Sequence, residues 1–286
     1  MKLEVLGSSG SITTPRPLCF CKICTEARKK GSPYSRLGPS VFVHGPDILI
    51  DTPEEISVEL NRSSVKRISI CLFSHWHPDH IAGKRIFEIN KHWGRIPGKN
   101  KTTQILLPEK IAESFRSSMA IMEHLEFLEA EGLVEIQIIK DDETFSVNGY
   151  TIKPVRLFFD FVFGYEIGDS TKKILIIMDE IKHWIPDPEI SATDYDLVYL
   201  PFGIFAENPL TGRALVDSDN PILKNEHTTA ETINIVRKLK SRQFVLGHIE
   251  EPDRINPQLA KKLSAYFSKE TGKKIRIAYD GMMVPS

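Results

Sequence analysis

The stretch His75-Trp76-His77-Pro78-Asp79-His80 constrains this chain more than any other. It follows, after Ser74, the segment Arg67-Ile68-Ser69-Ile70-Cys71-Leu72-Phe73, an apolar run whose length and β-branched content predict a buried strand. Pro78 has no N–H to lose, and its fixed φ suits the first turn of a helix. The six residues therefore span a strand end, a tight loop and a helix start. Three imidazoles and a carboxylate at such a corner can converge on one or two cations. The loop divides them into two groups, His75 with His77 and Asp79 with His80.

A metal site on strand ends needs further ligands from distant strand ends. Two stand directly after apolar runs: Asp179 after Ile174-Leu175-Ile176-Ile177-Met178, and His248 after Phe244-Val245-Leu246-Gly247. Asp51 closes Ile48-Leu49-Ile50 in the same way, either capping a turn or orienting a ligand histidine through a hydrogen bond. Three of the four cysteines are packed as Cys19-Phe20-Cys21-Lys22-Ile23-Cys24, and in a reducing compartment such thiols read as metal ligands rather than a disulfide framework. Cys71, alone in the strand before the histidines, reads as a small buried hydrophobe.

At 286 residues and 41% hydrophobic content, the chain can bury a full core, and residues 1–286 are expected to form one α/β domain. The net charge of −1 gives no general basic field for nucleic acid or an anionic membrane. No run of 18 apolar residues occurs and the N-terminus has no long apolar core, so a cytoplasmic protein is expected.

Strands are predicted at 1–7, 40–44, 47–51, 67–73, 133–139, 144–147, 150–157, 161–167, 173–178, 194–200, 243–246 and 274–279. Helices are predicted at 25–30, 54–61, from Pro78, over one or two segments of 108–132, at 229–239 behind a Thr228 or Thr229 cap, and at 258–269. Residues 91–104 read as a surface loop, and 203–226 as a long irregular stretch that faces the substrate. Two β-then-α halves fit a four-layer αβ/βα sandwich.

Residue for residue, the His75 motif matches the H-x-H-x-D-H signature of the metallo-β-lactamase fold hydrolases, and the chain resembles them from Gly7 to about Asp253. The C-x-C-x-x-C cluster narrows the resemblance to the branch of PhnP-like cyclic phosphodiesterases and PqqB-like proteins. The resemblance implies that His75, His77, Asp79, His80, Asp179 and His248 hold one or two Zn2+ or Mn2+ ions, with Asp179 bridging. It further implies a structural zinc on Cys19, Cys21 and Cys24, for which Glu251 is the first choice of fourth ligand and Asp253 the fallback. One expected imidazole is missing: Leu157 and Phe158 stand where the family carries a histidine, which weakens the His75/His77 place unless Asp160 or water fills it.

Glu226-His227-Thr228-Thr229-Ala230-Glu231 resembles the element that acts on the leaving group in the phosphodiesterase members. The implied activity is phosphodiester hydrolysis on a small or cyclic substrate, with metal-activated water attacking phosphorus, Asp79 in the catalytic centre and His227 as general acid. Arg213 could contact a phosphate. A transfer-RNA nuclease is disfavoured by the charge balance. Hydrolysis of a carbon ester, thioester or lactone, and a non-hydrolytic PqqB-like accessory role, stay open, as does a homodimer.

Overall fold

Period-two alternation in the central strands sets the layers of this fold. The computed structural model of the chain describes residues 1–92 and 102–286. Chain order runs β1 (Lys2–Gly7), α1 (Lys22–Lys30), β2 (Ser40–His44), β3 (Ile48–Ile50), α2 (Ile56–Arg62), β4 (Ile70–Leu72) and α3 (Pro78–Ile81). It continues through β5 (Thr103–Pro108), α4 (Glu109–Ser117), α5 (Ile121–Ala130), β6 (Val134–Ile139), β7 (Phe145–Val147), β8 (Tyr150–Arg156), β9 (Phe163–Gly168) and β10 (Lys173–Ile176). Then come α6 (Pro188–Ala192), β11 (Asp194–Tyr195), β12 (Leu197–Pro201), β13 (Glu207–Asn208), β14 (Arg213–Ala214), α7 (Ile222–Asn225) and α8 (Thr229–Lys238). The chain closes with β15 (Lys240–Ser241), β16 (Phe244–Gly247), α9 (Pro257–Thr271), β17 (Ile275–Ile277) and β18 (Met282–Pro285).

The first sheet has the order β18-β1-β2-β3-β4-β5-β6 and the second β17-β16-β12-β10-β9-β8-β7. In the second sheet Ile174, Ile176, Leu197, Tyr199 and Val245 join the apolar cluster that includes Val5, Val41 and Ile50 of the first sheet. The alternate residues Leu175, Ile177, Val198, Leu200, Phe244 and Leu246 pack instead with Ile233 and Val236 of α8 and Leu263 and Phe267 of α9. Ile56 of α2, Ile111 and Phe115 of α4 and Leu125 and Leu128 of α5 pack with the first sheet. The result is the four-layer αβ/βα sandwich that the element order predicts.

Several boundaries differ from the sequence reading. β5 runs through Thr103-Gln104 into the expected helix start at Pro108, because pairing with β4 and β6 on either side outweighs the polar character of its first residues. The expected loop at 91–104 otherwise lies largely outside the described residues. β18 was not expected, since Met282-Met283-Val284-Pro285 is short and ends in proline; it pairs antiparallel with β1 at the sheet edge, where proline is tolerated. Helix α1 begins at Lys22, three residues earlier than predicted, so Cys24 is helical and Cys21 caps it by accepting the Cys24 amide. The stretch 203–226 is not wholly irregular: β13 pairs with β14, and α7 follows.

Candidate metal centre

Parallel strands deliver their C-terminal ends to one place. β3 runs parallel to β4, and β10 and β16 both run parallel to β12. Asp51 follows β3, the His75 loop follows β4, Asp179 and Glu180 come after β10, and His248 follows β16. The loop is tied to the opposite sheet where Tyr165 Oη donates to the Phe73 carbonyl at 2.6 Å and the Phe163 amide donates to the Ser74 carbonyl at 2.9 Å. Asp51 (φ 63°), Glu180 (φ 58°) and His248 (φ 55°) all adopt the left-handed conformation, which non-glycine residues rarely take. Such strain persists only where the surrounding structure imposes it, and here it recurs at three strand ends around one site.

His75 and His80 are fully buried. Asp51 Oδ2 lies 2.7 Å from His80 Nδ1, while its two oxygens accept the Ser74 amide and hydroxyl, each at 2.7 Å. Ser74 Oγ is in turn 2.9 Å from His75 Nδ1. Both rings therefore have Nδ1 engaged and Nε2 free. The Nε2 atoms of His75, His80 and His248 are all buried and have no hydrogen-bond partner. An orphaned buried nitrogen is costly, and three at one place fit metal ligation by the residues present.

The oxygen donors stand beside them. His80 Nε2 is 3.4 Å from Asp79 Oδ2 and 3.9 Å from Asp179 Oδ2; His248 Nε2 is 3.6 Å from Asp79 Oδ2 and 3.3 Å from Asp179 Oδ2; His77 Nδ1 is 3.4 Å from Glu180 Oε1. Metal bonds of roughly 2.0–2.2 Å leave neighbouring ligand atoms about 3 to 3.6 Å apart, so these separations suit atoms that share a cation. Three sets have ligand atoms mutually within 4.8 Å: His75, His77 and Glu180; His75, His80 and Asp179; Asp79, His80 and His248.

Charge follows the same division. Burial, with His80 and His77 nearby, holds His75 well below the ordinary imidazole range. Burial works against the charged form of His80 too, but Asp79 and Asp51 hold its pKa well above that range. His248 is likewise raised to about 9, because Asp179 and Asp79 outweigh its burial. Asp79 is held low by His80 and His248 despite its burial.

A cavity of about 280 Å³ opens onto the cluster, and His77, Asp79, Asp179, Glu180, His227 and His248 line it together with Gly203, Ile204, Ile222 and Glu226. His227 is 3% exposed with neither ring nitrogen partnered, and burial pushes its pKa down to about 4, so the free protein holds it neutral at pH 7. Gly203 (φ 78°) lets the chain pass against the ring, since a Cβ there would come within 2.6 Å of His227 Cδ2. The next residue, Thr228, caps α8 in a reciprocal box with Glu231. Lys182 Nζ donates to Glu231 Oε1 at 2.9 Å, linking the turn after β10 to the start of that helix.

The cysteines form a second cluster. Glu251 Oε1 lies 3.7, 3.1 and 3.4 Å from the sulfurs of Cys19, Cys21 and Cys24. Asp253, the fallback ligand, is not part of it: its oxygens accept the amides of Phe205 and Glu250.

The structure thus brings together His75, His77, Asp79, His80, Asp179 and His248, sets Asp51 behind His80, and puts His227 in the same cavity. Leu157 is buried among apolar residues and Phe158 is 55% exposed with its ring 5.1 Å from that of His183, so neither fills the ligand place left at His75 and His77. Asp160 belongs to none of the convergent groups among the described residues. Glu180 does, and sequence reasoning missed it; its one signal is adjacency to Asp179. Arg213 is exposed on β14 and does not line the cavity.

Residues 45–249 match the beta-lactamase superfamily domain. Among solved structures, a diphosphatase of the PhnP family is 22% identical, with a TM-score of 0.70 over 99% of this chain and 96% of that one. The Zn2+-bound PqqB of Methylobacterium extorquens is 20% identical, with a TM-score of 0.72 over the whole of both chains. Human tRNase Z, short form, is 15% identical, with a TM-score of 0.64 over 100% of this chain and 99% of that one. At these identities the likeness is one of fold. No curated protein matches the sequence.

Proposed function

Because the chain belongs to the beta-lactamase superfamily and has the metallo-β-lactamase fold, we propose that it is a metal-dependent hydrolase of small or cyclic phosphodiesters. The observation that carries this reading is the convergence of three orphaned imidazole nitrogens with Asp79 and Asp179, where both aspartates and His248 border a cavity that His227 also lines. His75 and His77 would hold metal on one side and Asp79, His80 and His248 on the other, with Asp179 between them. When bound, zinc or manganese supplies Lewis acidity toward a phosphoryl oxygen and toward the attacking water.

The protein's own groups prepare that chemistry. Asp51 and Ser74 hold Nδ1 of His80 and of His75, which orients each Nε2 as the ligating atom; His75 is neutral there, whereas His80, raised by Asp79 and Asp51, would give up its Nε2 proton on binding metal. His227, neutral in the free protein, presents an N–H to the departing oxygen, and an arriving phosphodiester anion raises its basicity toward that of a general acid. A cavity of about 280 Å³, bordered by Glu226 and Glu250, suits a small monoanion better than a polyanionic RNA. The likeness to a diphosphatase favours attack at phosphorus as well. We assign Cys19, Cys21, Cys24 and Glu251 a structural zinc, and the reducing compartment such thiols need makes the cytoplasm the expected location. We also take residues 1–286 as one domain, since the pairing of β1 with β18 joins both chain ends in one sheet.

The experiment is hydrolysis of bis-p-nitrophenyl phosphate and of 2′,3′- and 3′,5′-cyclic nucleotides by manganese- or zinc-loaded protein, beside Asp79→Ala and His227→Ala. Metal-dependent turnover lost in both variants is expected. Loss in Asp79→Ala alone would redirect the assignment to carbon esters or lactones. No turnover with metal bound would favour the non-hydrolytic reading, for which the absence of an imidazole at Leu157 and Phe158 is the supporting observation.

A further inference from the structure

We infer that Glu180 takes the ligand place vacated by the missing histidine, so that the His75/His77 side of the centre is a site of two imidazoles and a carboxylate with a preference shifted from zinc toward manganese. The inference rests on the reading of the strand-end cluster as a divalent metal centre.

Three observations carry it. First, Glu180 Oε1 is 3.4 Å from His77 Nδ1, and His75, His77 and Glu180 form a group with ligand atoms mutually within 4.8 Å, in which His75 also has a buried Nε2 without a partner. Second, the Glu180 side chain is only 12% exposed and has no lysine or arginine ion-pair partner among the described residues; the nearby Lys182 is committed to Glu231. A largely buried carboxylate facing imidazoles and Asp179 is costly as an anion, and a cation at that place relieves the cost. Third, Glu180 is held at φ 58°, a conformation with no benefit to a glutamate as such. It allows two consecutive residues, Asp179 and Glu180, to line the same cavity, whereas extended backbone would send them to opposite sides.

The substitution changes the chemistry of the place. Imidazole suits zinc, while carboxylate oxygen suits manganese and other hard cations. With Glu180 included, the two sides become chemically alike: Asp79, His80 and His248 on one, His75, His77 and Glu180 on the other, each with two imidazoles and one carboxylate. The aromatic stretch at Leu157 and Phe158 can then lack a ligand without the centre losing its second ion.

The experiment is manganese titration of metal-free protein followed by calorimetry and by electron paramagnetic resonance, with wild type, Glu180→Gln and Glu180→His compared. Thiolate sites bind manganese poorly, so the cysteine cluster does not contribute. Wild type is expected to show two classes of site and, at saturation, a spin-coupled manganese pair. Glu180→Gln, which keeps the shape and removes the charge, should lose the coupled signal and weaken one class by about tenfold or more while retaining the other. Glu180→His should regain the second class with its zinc-to-manganese affinity ratio raised. A coupled signal and affinities unchanged in Glu180→Gln would overturn the assignment and leave Glu180 an ion-pair partner of His77. Failure of wild type to bind manganese at all would overturn the metal-centre reading and this inference together.

Discussion

The two ligand clusters of this protein are built in opposite ways. Cys19, Cys21 and Cys24 lie within six residues on a loop and the first turns of α1, and one distant residue, Glu251, closes the set. The strand-end centre instead collects Asp51, the His75 loop, Asp179, Glu180 and His248 from four strands of two sheets, and it borders a cavity. A closed set of four donors suits a structural ion; a set with room beside it suits catalysis. The lesson is one of division: the local cluster pins the N-terminal loop to the segment after β16, and the distributed one depends on the fold being in place first.

Substitutions should separate the two. The largest effect on turnover is expected from His227→Ala, with kcat falling roughly 10²–10⁴-fold while bound manganese is unchanged. A parallel loss of metal would instead make His227 part of the binding set. Asp51→Asn should act through His80, weakening metal at the strand-end centre roughly 10–100-fold by loss of the carboxylate that fixes the ring. Calorimetric titration checks this, and the cysteine cluster should not respond.

Cys24→Ser should do the reverse. If it weakens zinc there about a thousandfold, the folded state loses about 4 kcal/mol of linked stability in thermal or urea unfolding, with little change in kcat of the folded fraction. Loss of kcat at retained stability would break the contrast between the clusters.

The smallest effect is in pH. His248 stands near 9 in the metal-free protein because Asp179 and Asp79 outweigh its burial, so below that pH metal must displace a proton from it. Manganese affinity at the strand-end centre should therefore rise with pH through about 9, by about tenfold per unit for each proton released, with His80, which Asp79 and Asp51 also raise, adding a second proton to be displaced. Calorimetry in buffers of different ionisation enthalpy reads the proton count. His248 stabilises the metal-free fold below its ordinary pKa of 6.5, and that contribution fades as pH rises through about 9.

What the sequence made legible follows from this same contrast. The cysteine cluster and the His75 loop are local patterns, and local patterns survive in one dimension. Asp179 and His248 could be found because each directly follows an apolar strand, and their convergence was then a matter of topology. Glu180 could not be found that way. Its contribution depends on a left-handed turn at a glutamate, for which no residue-type signal exists, and the family resemblance points instead to an imidazole after β8. Strands β5 and β18 were hidden for a related reason: Thr103-Gln104 and Met282-Met283 become strands through the neighbours they pair with, not through their own composition.

The most direct measurement follows manganese occupancy of the strand-end centre and hydrolysis of a phosphodiester in one titration, with the cysteine cluster kept loaded with zinc. Turnover should be negligible before manganese is added and should rise in step with its occupancy. Turnover at full strength with the strand-end centre empty of metal would contradict the assignment of that centre as the site of catalysis.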